Sequence, residues 1–160
     1  MRYVEKGKTQ QIGDFTVTPF AVPHDSSDCV GYCVQCEGIT FTLVTDCGHV
    51  TEEICAFVAK ANYLVIEANH EVEKLMAGPY PLYLKERITS QIGHLSNAEC
   101  ARTIVENATE NLKHVWLCHL SDENNHPELA RIAVTSLMES YGLRAGVDFI
   151  VEAVSYTHLR

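Results

Sequence analysis

The first half of the chain is patterned as strands. Runs over 14–22, 30–36 and 39–45 follow a short polar start, and Glu37-Gly38 sits between the last two as a hairpin turn. Consecutive antiparallel strands are the simplest arrangement for them. After Asp46-Cys47-Gly48 the apolar period lengthens. Ile54, Ala56, Phe57, Val58 and Ala61 predict a helix over 51–61, opened by a Thr51-Glu52-Glu53 start that resembles a capping box. Tyr63-Leu64-Val65-Ile66-Glu67 is a short apolar strand of the buried kind, followed by a helical segment over 71–77. Pro79 and Pro81 break the chain. A helix over 82–92 is closed by Gly93, and Ser96-Asn97-Ala98-Glu99 is a capping box opening a helix that runs to Thr109. The remainder predicts a strand over 114–118, a helix over 127–141 stopped by Gly142, and a last strand over 147–154. Strands that meander and then alternate with helices describe an α/β layered sandwich.

Composition narrows the class without naming a function. At 160 residues the chain is long enough to be one domain burying roughly 70% of its unfolded surface. With 46% hydrophobic and 21% charged residues it reads as soluble and globular, and no window approaches the ~20 apolar residues of a membrane span. Met1-Arg2-Tyr3-Val4-Glu5-Lys6 lacks the apolar stretch of a secretory signal, so a cytoplasmic location is expected. Seven cysteines are an odd number and lie mostly in apolar segments, which argues against a disulfide framework. Cys33 and Cys36 fall along a strand rather than at a helix start, where a redox pair would have a lowered pKa. A formal charge of −9 opposes unaided binding to a phosphate backbone. Bound divalent metal would supply the missing positive charge.

His24, Asp46 and His119 each stand at or just beyond the C-terminal end of a predicted strand, which is how an α/β fold gathers distant side chains at one edge. Imidazole and carboxylate are standard ligands for zinc and related cations, so the three make a partial metal site. His94 precedes a helix N-terminus and suits an acid or a phosphate-binding group. Glu67 and His70 follow the buried strand to the same edge and could orient ligands or contact substrate. His49, His114 and His126 read as structural. Cys47 and Cys118 could join a four-ligand zinc site, or serve a cysteine–histidine nucleophile, but adjacent strand residues point to opposite faces. Neither lies at a helix start that would favour thiolate.

Five blocks in order carry a family resemblance: Val22-Pro23-His24-Asp25, Thr45-Asp46-Cys47-Gly48, Ile66-Glu67-Ala68-Asn69-His70, Ile92-Gly93-His94-Leu95-Ser96-Asn97 and Cys118-His119-Leu120-Ser121. Together they resemble the YycJ/WalJ-type metallo-hydrolases of the metallo-β-lactamase superfamily. The resemblance implies a four-layer αββα sandwich and two divalent ions, zinc or alternatively manganese. It implies that His24 binds the first ion, that Asp46 bridges both and that His119 binds the second. It further implies a metal-bridging hydroxide that attacks a phosphodiester, His94 as the catalytic group, and exonuclease-like action on DNA in a bacterial setting. An RNA-processing endonuclease of the same superfamily, or an inactive fragment or assembly half, are the alternatives. The family's His-x-His-x-Asp-His run does not occur in this sequence. Residues 1–155 are therefore expected to correspond to the C-terminal half of the domain, with a missing N-terminal half needed to complete the site. Residues 156–160 read as a cloning or assembly remnant.

Overall fold

A computed structural model describes residues 5–154; the 156–160 tail lies outside the described residues. Seven strands form one sheet in sequence order: β1 Gln10–Ile12, β2 Phe15–Ala21, β3 Val30–Cys36, β4 Ile39–Val44, β5 Tyr63–Glu67, β6 His114–Cys118 and β7 Ile150–Ala153. The first four pair antiparallel and the last four pair parallel. The short polar start, to which the pattern assigned no strand, contributes β1, because Gln10 to Ile12 pair with Val17 to Phe15 across a tight hairpin. Between β3 and β4, Glu37 and Gly38 both have positive φ, at 49° and 80°. That conformation makes the two-residue hairpin whose twist matches its strands.

The parallel half requires crossovers, and helices supply them. These are α1 Glu52–Lys60, α2 Val72–Ala77, α3 Leu82–Ile88, α4 Asn97–Asn107 and α5 Pro127–Ser140. Thr51 caps α1 through the Ile54 N–H, without the reciprocal acidic partner of a full box. Ser96 and Glu99 complete the box on α4. Helix α3 ends at Ile88, one turn earlier than the pattern predicts, because the chain must turn back there and Gly93 packs against its last carbonyls. The last strand is likewise shorter than predicted, starting at Ile150.

Helices α1, α4 and α5 cover one face of the sheet. Cys33, Val44, Leu64, Ile66, Val115, Leu117 and Val151 point into that layer and join Ile54, Val58, Ile104, Val134 and Met138 in a single buried cluster. Removing such side chains from water is the main favourable term for the fold, about 1.5–3 kcal/mol for each large aliphatic. The alternate strand positions, Tyr32, Val34, Phe41, Leu43, Tyr63, Val65 and Trp116, lie on the opposite face and are only half-buried. No helix among the described residues is long and apolar enough to cross a membrane.

Candidate metal centre

The pairing pattern explains why remote residues meet. Strand β2 is antiparallel to β3, β3 to β4, and β4 is parallel to β5 and β6. Strands β2, β4, β5 and β6 therefore point the same way, and their carboxyl ends share one edge, the usual crevice of open α/β sheets. His24 follows β2, Asp46 follows β4, Glu67 ends β5 and His119 follows β6. His94 arrives from the loop before α4.

Glu67 is the hub. It is fully buried, and its Oε1 accepts hydrogen bonds from His94 Nδ1 at 2.6 Å and His119 Nδ1 at 2.8 Å. Its Oε2 accepts from the Cys47 backbone N–H at 2.7 Å. The His24 Nδ1 lies 2.9 Å from the Gly93 carbonyl oxygen. Carboxylates and carbonyls only accept, so each of these imidazoles carries a proton on Nδ1 and leaves Nε2 as the nitrogen open to a ligand when the ring is neutral. This is the arrangement that fixes tautomer and ring orientation in metal-binding histidines. His24 Nε2 lies 3.8 Å from Asp46 Oδ1, and His119 Nδ1 lies 3.7 Å from the same oxygen. Two overlapping groups, His24-Asp46-His94 and Glu67-His94-His119, each have candidate ligand atoms within 4.8 Å of one another. The donor set therefore fits divalent metal. Asp46 and His119 have 43% and 40% exposed side chains, so the centre opens to solvent on their side.

The backbone is shaped for this. Asp46 and His119 adopt left-handed conformations, φ 53° and 55°, which non-glycine residues rarely hold outside functional turns. Three buried or nearly buried amides stitch the loops together. Asn69 donates to the His119 carbonyl at 2.8 Å. Asn97 and Asn125 exchange reciprocal amide bonds of 2.9 and 2.8 Å, and Asn125 also donates to the Ala68 carbonyl. Sequence reasoning did not assign these asparagines a role. Their signal was slight: Asn69 and Asn97 fall within the family-resembling blocks, two and three residues after Glu67 and His94, and Asn125 comes six residues after His119.

Among the other expected site residues, His70 belongs to neither cluster. It is 1% exposed and its Nδ1 has no hydrogen-bond partner, and burial lowers its pKa. It acts through its backbone, accepting from Asn97 N–H at 2.9 Å and bridging to Ser96. His49 bonds the Gln91 carbonyl, His126 caps α5, and His114 stacks on Trp116 with ring centroids 4.0 Å apart. Burial pushes the Cys47 and Cys118 thiols up to about 12, with Glu67 adding to the effect. Neither is a thiolate nucleophile near neutral pH.

Burial alone would raise the Glu67 carboxyl, but the bonds from His119, His94 and Cys47 outweigh it and leave its pKa below the ordinary value. The same contact raises His119, against a smaller opposing effect of burial. Glu67 is thus a carboxylate at neutral pH, free to accept from both rings.

The beta-lactamase superfamily domain matches residues 1–119 of this sequence. The chain belongs to that superfamily. Exodeoxyribonuclease YycJ of Bacillus anthracis is 36% identical over 143 residues, 89% of this chain and 54% of the relative. Exodeoxyribonuclease WalJ of Streptococcus pneumoniae serotype 2 (strain D39 / NCTC 7466) is 39% identical over 147 residues, 92% and 55% respectively. Within the superfamily, the chain is of the YycJ/WalJ type, and it spans about half the length of the curated relatives it matches. The metallo-beta-lactamase fold protein YhfI from Bacillus subtilis superposes with TM-score 0.64 at 17% identity, covering 92% of this chain and 50% of that one. Zn(2+)-bound PqqB from Methylobacterium extorquens gives 0.58 at 16% identity, covering 94% and 49%. The likeness to both shows the shared fold, and membership of the superfamily implies divalent-metal binding.

Proposed function

We propose that this chain carries part of the active site of a metal-dependent phosphodiester hydrolase acting on DNA in the manner of an exonuclease. One observation carries the reading: three histidines from separate loops have their Nδ1 atoms committed to acceptors and cluster around Asp46, whose Oδ1 lies 3.8 Å from His24 Nε2 and 3.7 Å from His119 Nδ1. The names of the YycJ and WalJ relatives support DNA as substrate. His24, Asp46 and His119 would hold two divalent ions, of which zinc suits the imidazole-rich set. When bound, such a pair lowers the pKa of a water to generate the nucleophile and neutralises charge on the attacked phosphate. Two ions ask for more protein ligands than these, and we assign the remainder to a polypeptide segment outside these 160 residues.

His94 serves the leaving group. Its Nδ1–H is fixed on Glu67, so Nε2 is the atom that delivers a proton to the departing oxygen, a contribution of about 10²–10⁴-fold. Glu67 orients the ring and steadies the positive charge it carries while protonated. Loading the chain with zinc or manganese, counting bound metal by mass spectrometry and assaying end-labelled duplex DNA tests the reading. His94→Ala is expected to retain metal and lose turnover, whereas Asp46→Ala is expected to lose metal and turnover together. If His94→Ala sheds metal as Asp46→Ala does, the acid role is wrong. If the wild-type chain binds no divalent metal, the whole reading falls.

A further inference from the structure

Helix α3 buries none of its residues, yet one of its faces looks into the centre. Leu84, Arg87 and Ile88 line a cavity of about 130 Å³ together with Asp25, Gly93 and His94. Arg87 is 65% exposed and engages Asp25 through a single nitrogen, Nε to Oδ2 at 2.5 Å. The other oxygen of that carboxylate lies 3.4 Å from His24 Nε2. Arg87 thus stands one side chain away from a candidate metal ligand and shares a hollow with the group that serves the leaving oxygen.

A guanidinium has five donors in a rigid fork, and here only Nε has a protein partner among the described residues. Neighbouring cations are already occupied. Lys74 donates to the Asn125 carbonyl, and Lys85 to those of Met76 and Gly78. Arg131, on α5, is forked onto Glu128. In a chain of net charge −9, a phosphate entering this cavity meets Arg87 with its amino groups unoccupied among the described residues. A fork of that kind matches two phosphate oxygens, which a lysine point charge does not.

We infer that Arg87 is a substrate-binding residue of this centre, gripping a phosphate next to the one hydrolysed with the amino groups that Asp25 leaves open. Asp25 holds the fork at the cavity mouth before substrate arrives, so little side-chain freedom is lost on binding. The inference rests on the phosphodiester reading and deepens it by naming how the negatively charged substrate is held.

The test compares wild type, Arg87→Ala and Arg87→Lys as full chains loaded with zinc, using end-labelled duplex DNA over a range of salt. Arg87→Ala is expected to raise KM about 10-fold or more while kcat changes by less than about 2-fold. It should also reduce the salt slope by about one counterion. Arg87→Lys is expected to restore the slope but only part of the KM, since it keeps the charge and loses the fork. Metal content and unfolding midpoint should match wild type in both. Unchanged KM and slope in Arg87→Ala, with wild-type hydrolysis intact, would overturn the inference and leave the hydrolase reading standing. If wild type does not hydrolyse DNA, fluorescence anisotropy of a labelled oligonucleotide decides instead. Binding weakened about 10-fold by Arg87→Ala supports the inference, and equal or absent binding overturns it.

Discussion

Replacing Glu67 with alanine is expected to damage both the fold and the metal site more than any other single truncation at this edge. The carboxylate is fully buried and satisfies three donors, His94 Nδ1, His119 Nδ1 and Cys47 N. Removing it leaves those donors without their acceptor, and removing one partner from a buried charged contact costs about 3–5 kcal/mol. The two imidazoles also lose what fixes their proton on Nδ1, so metal affinity should fall about 10- to 100-fold. Glu67→Gln separates the two effects. Its amide oxygen can accept from both rings, but its NH₂ then faces the Cys47 N–H, donor against donor. A loss of stability that persists, with a smaller loss of metal than in the alanine variant, is the expected pattern. Urea unfolding and zinc titration measure both; an alanine variant within about 0.5 kcal/mol of wild type, the range of an ordinary surface change, would show that Glu67 is not the hub.

Gly93→Ala is the second large effect. A Cβ there would stand 2.1 Å from the Ile88 carbonyl oxygen and 2.3 Å from that of Arg87. Both obstacles are backbone at the end of α3, so the loop must move rather than a side chain rotate. Overpacking of this kind costs about 1–3 kcal/mol. The chemical cost is separate, because the Gly93 carbonyl accepts from His24 Nδ1 and the next residue is His94. Shifting the loop therefore misaims two imidazoles at once. Gly48 repeats the constraint from the facing loop, where a Cβ would meet the Gln91 carbonyl oxygen at 2.4 Å. Ile92→Ala is the control, since that side chain is 51% exposed and its loss should change the unfolding midpoint little. Equal thermal midpoints and metal affinities for Gly93→Ala and wild type would mean that the close packing of this loop is unimportant.

Much of this was legible from residue order. The turn at Glu37-Gly38, the capping box at Ser96 and the short apolar strand at Tyr63 each rest on local chemistry, and the structure has them where that chemistry puts them. The gathering of His24, Asp46 and His119 also followed, because strand ends of like direction share an edge. What could not be read was long-range. Gln10 to Ile12 form a strand only because β2 offers them a partner, and α3 stops early because of a loop that folds back on it. The sharing of Glu67 between His94 and His119 depends on side chains far apart in sequence reaching one oxygen. Left-handed backbone at Asp46 and His119 had no sequence signal, since neither is glycine. The Asn97–Asn125 exchange was likewise invisible, because an amide in a polar loop is as consistent with hydration as with burial.

The sheet face turned away from the helices sets a practical limit on handling this polypeptide. Tyr32, Val34, Phe41, Leu43, Tyr63, Val65 and Trp116 make a continuous greasy wall that water only half wets. A wall of that kind adheres to whatever apolar material is nearby, including further molecules of the same kind, and does so more readily as they are crowded and warmed. Colloidal behaviour will thus bear on the concentrations at which this polypeptide can be studied.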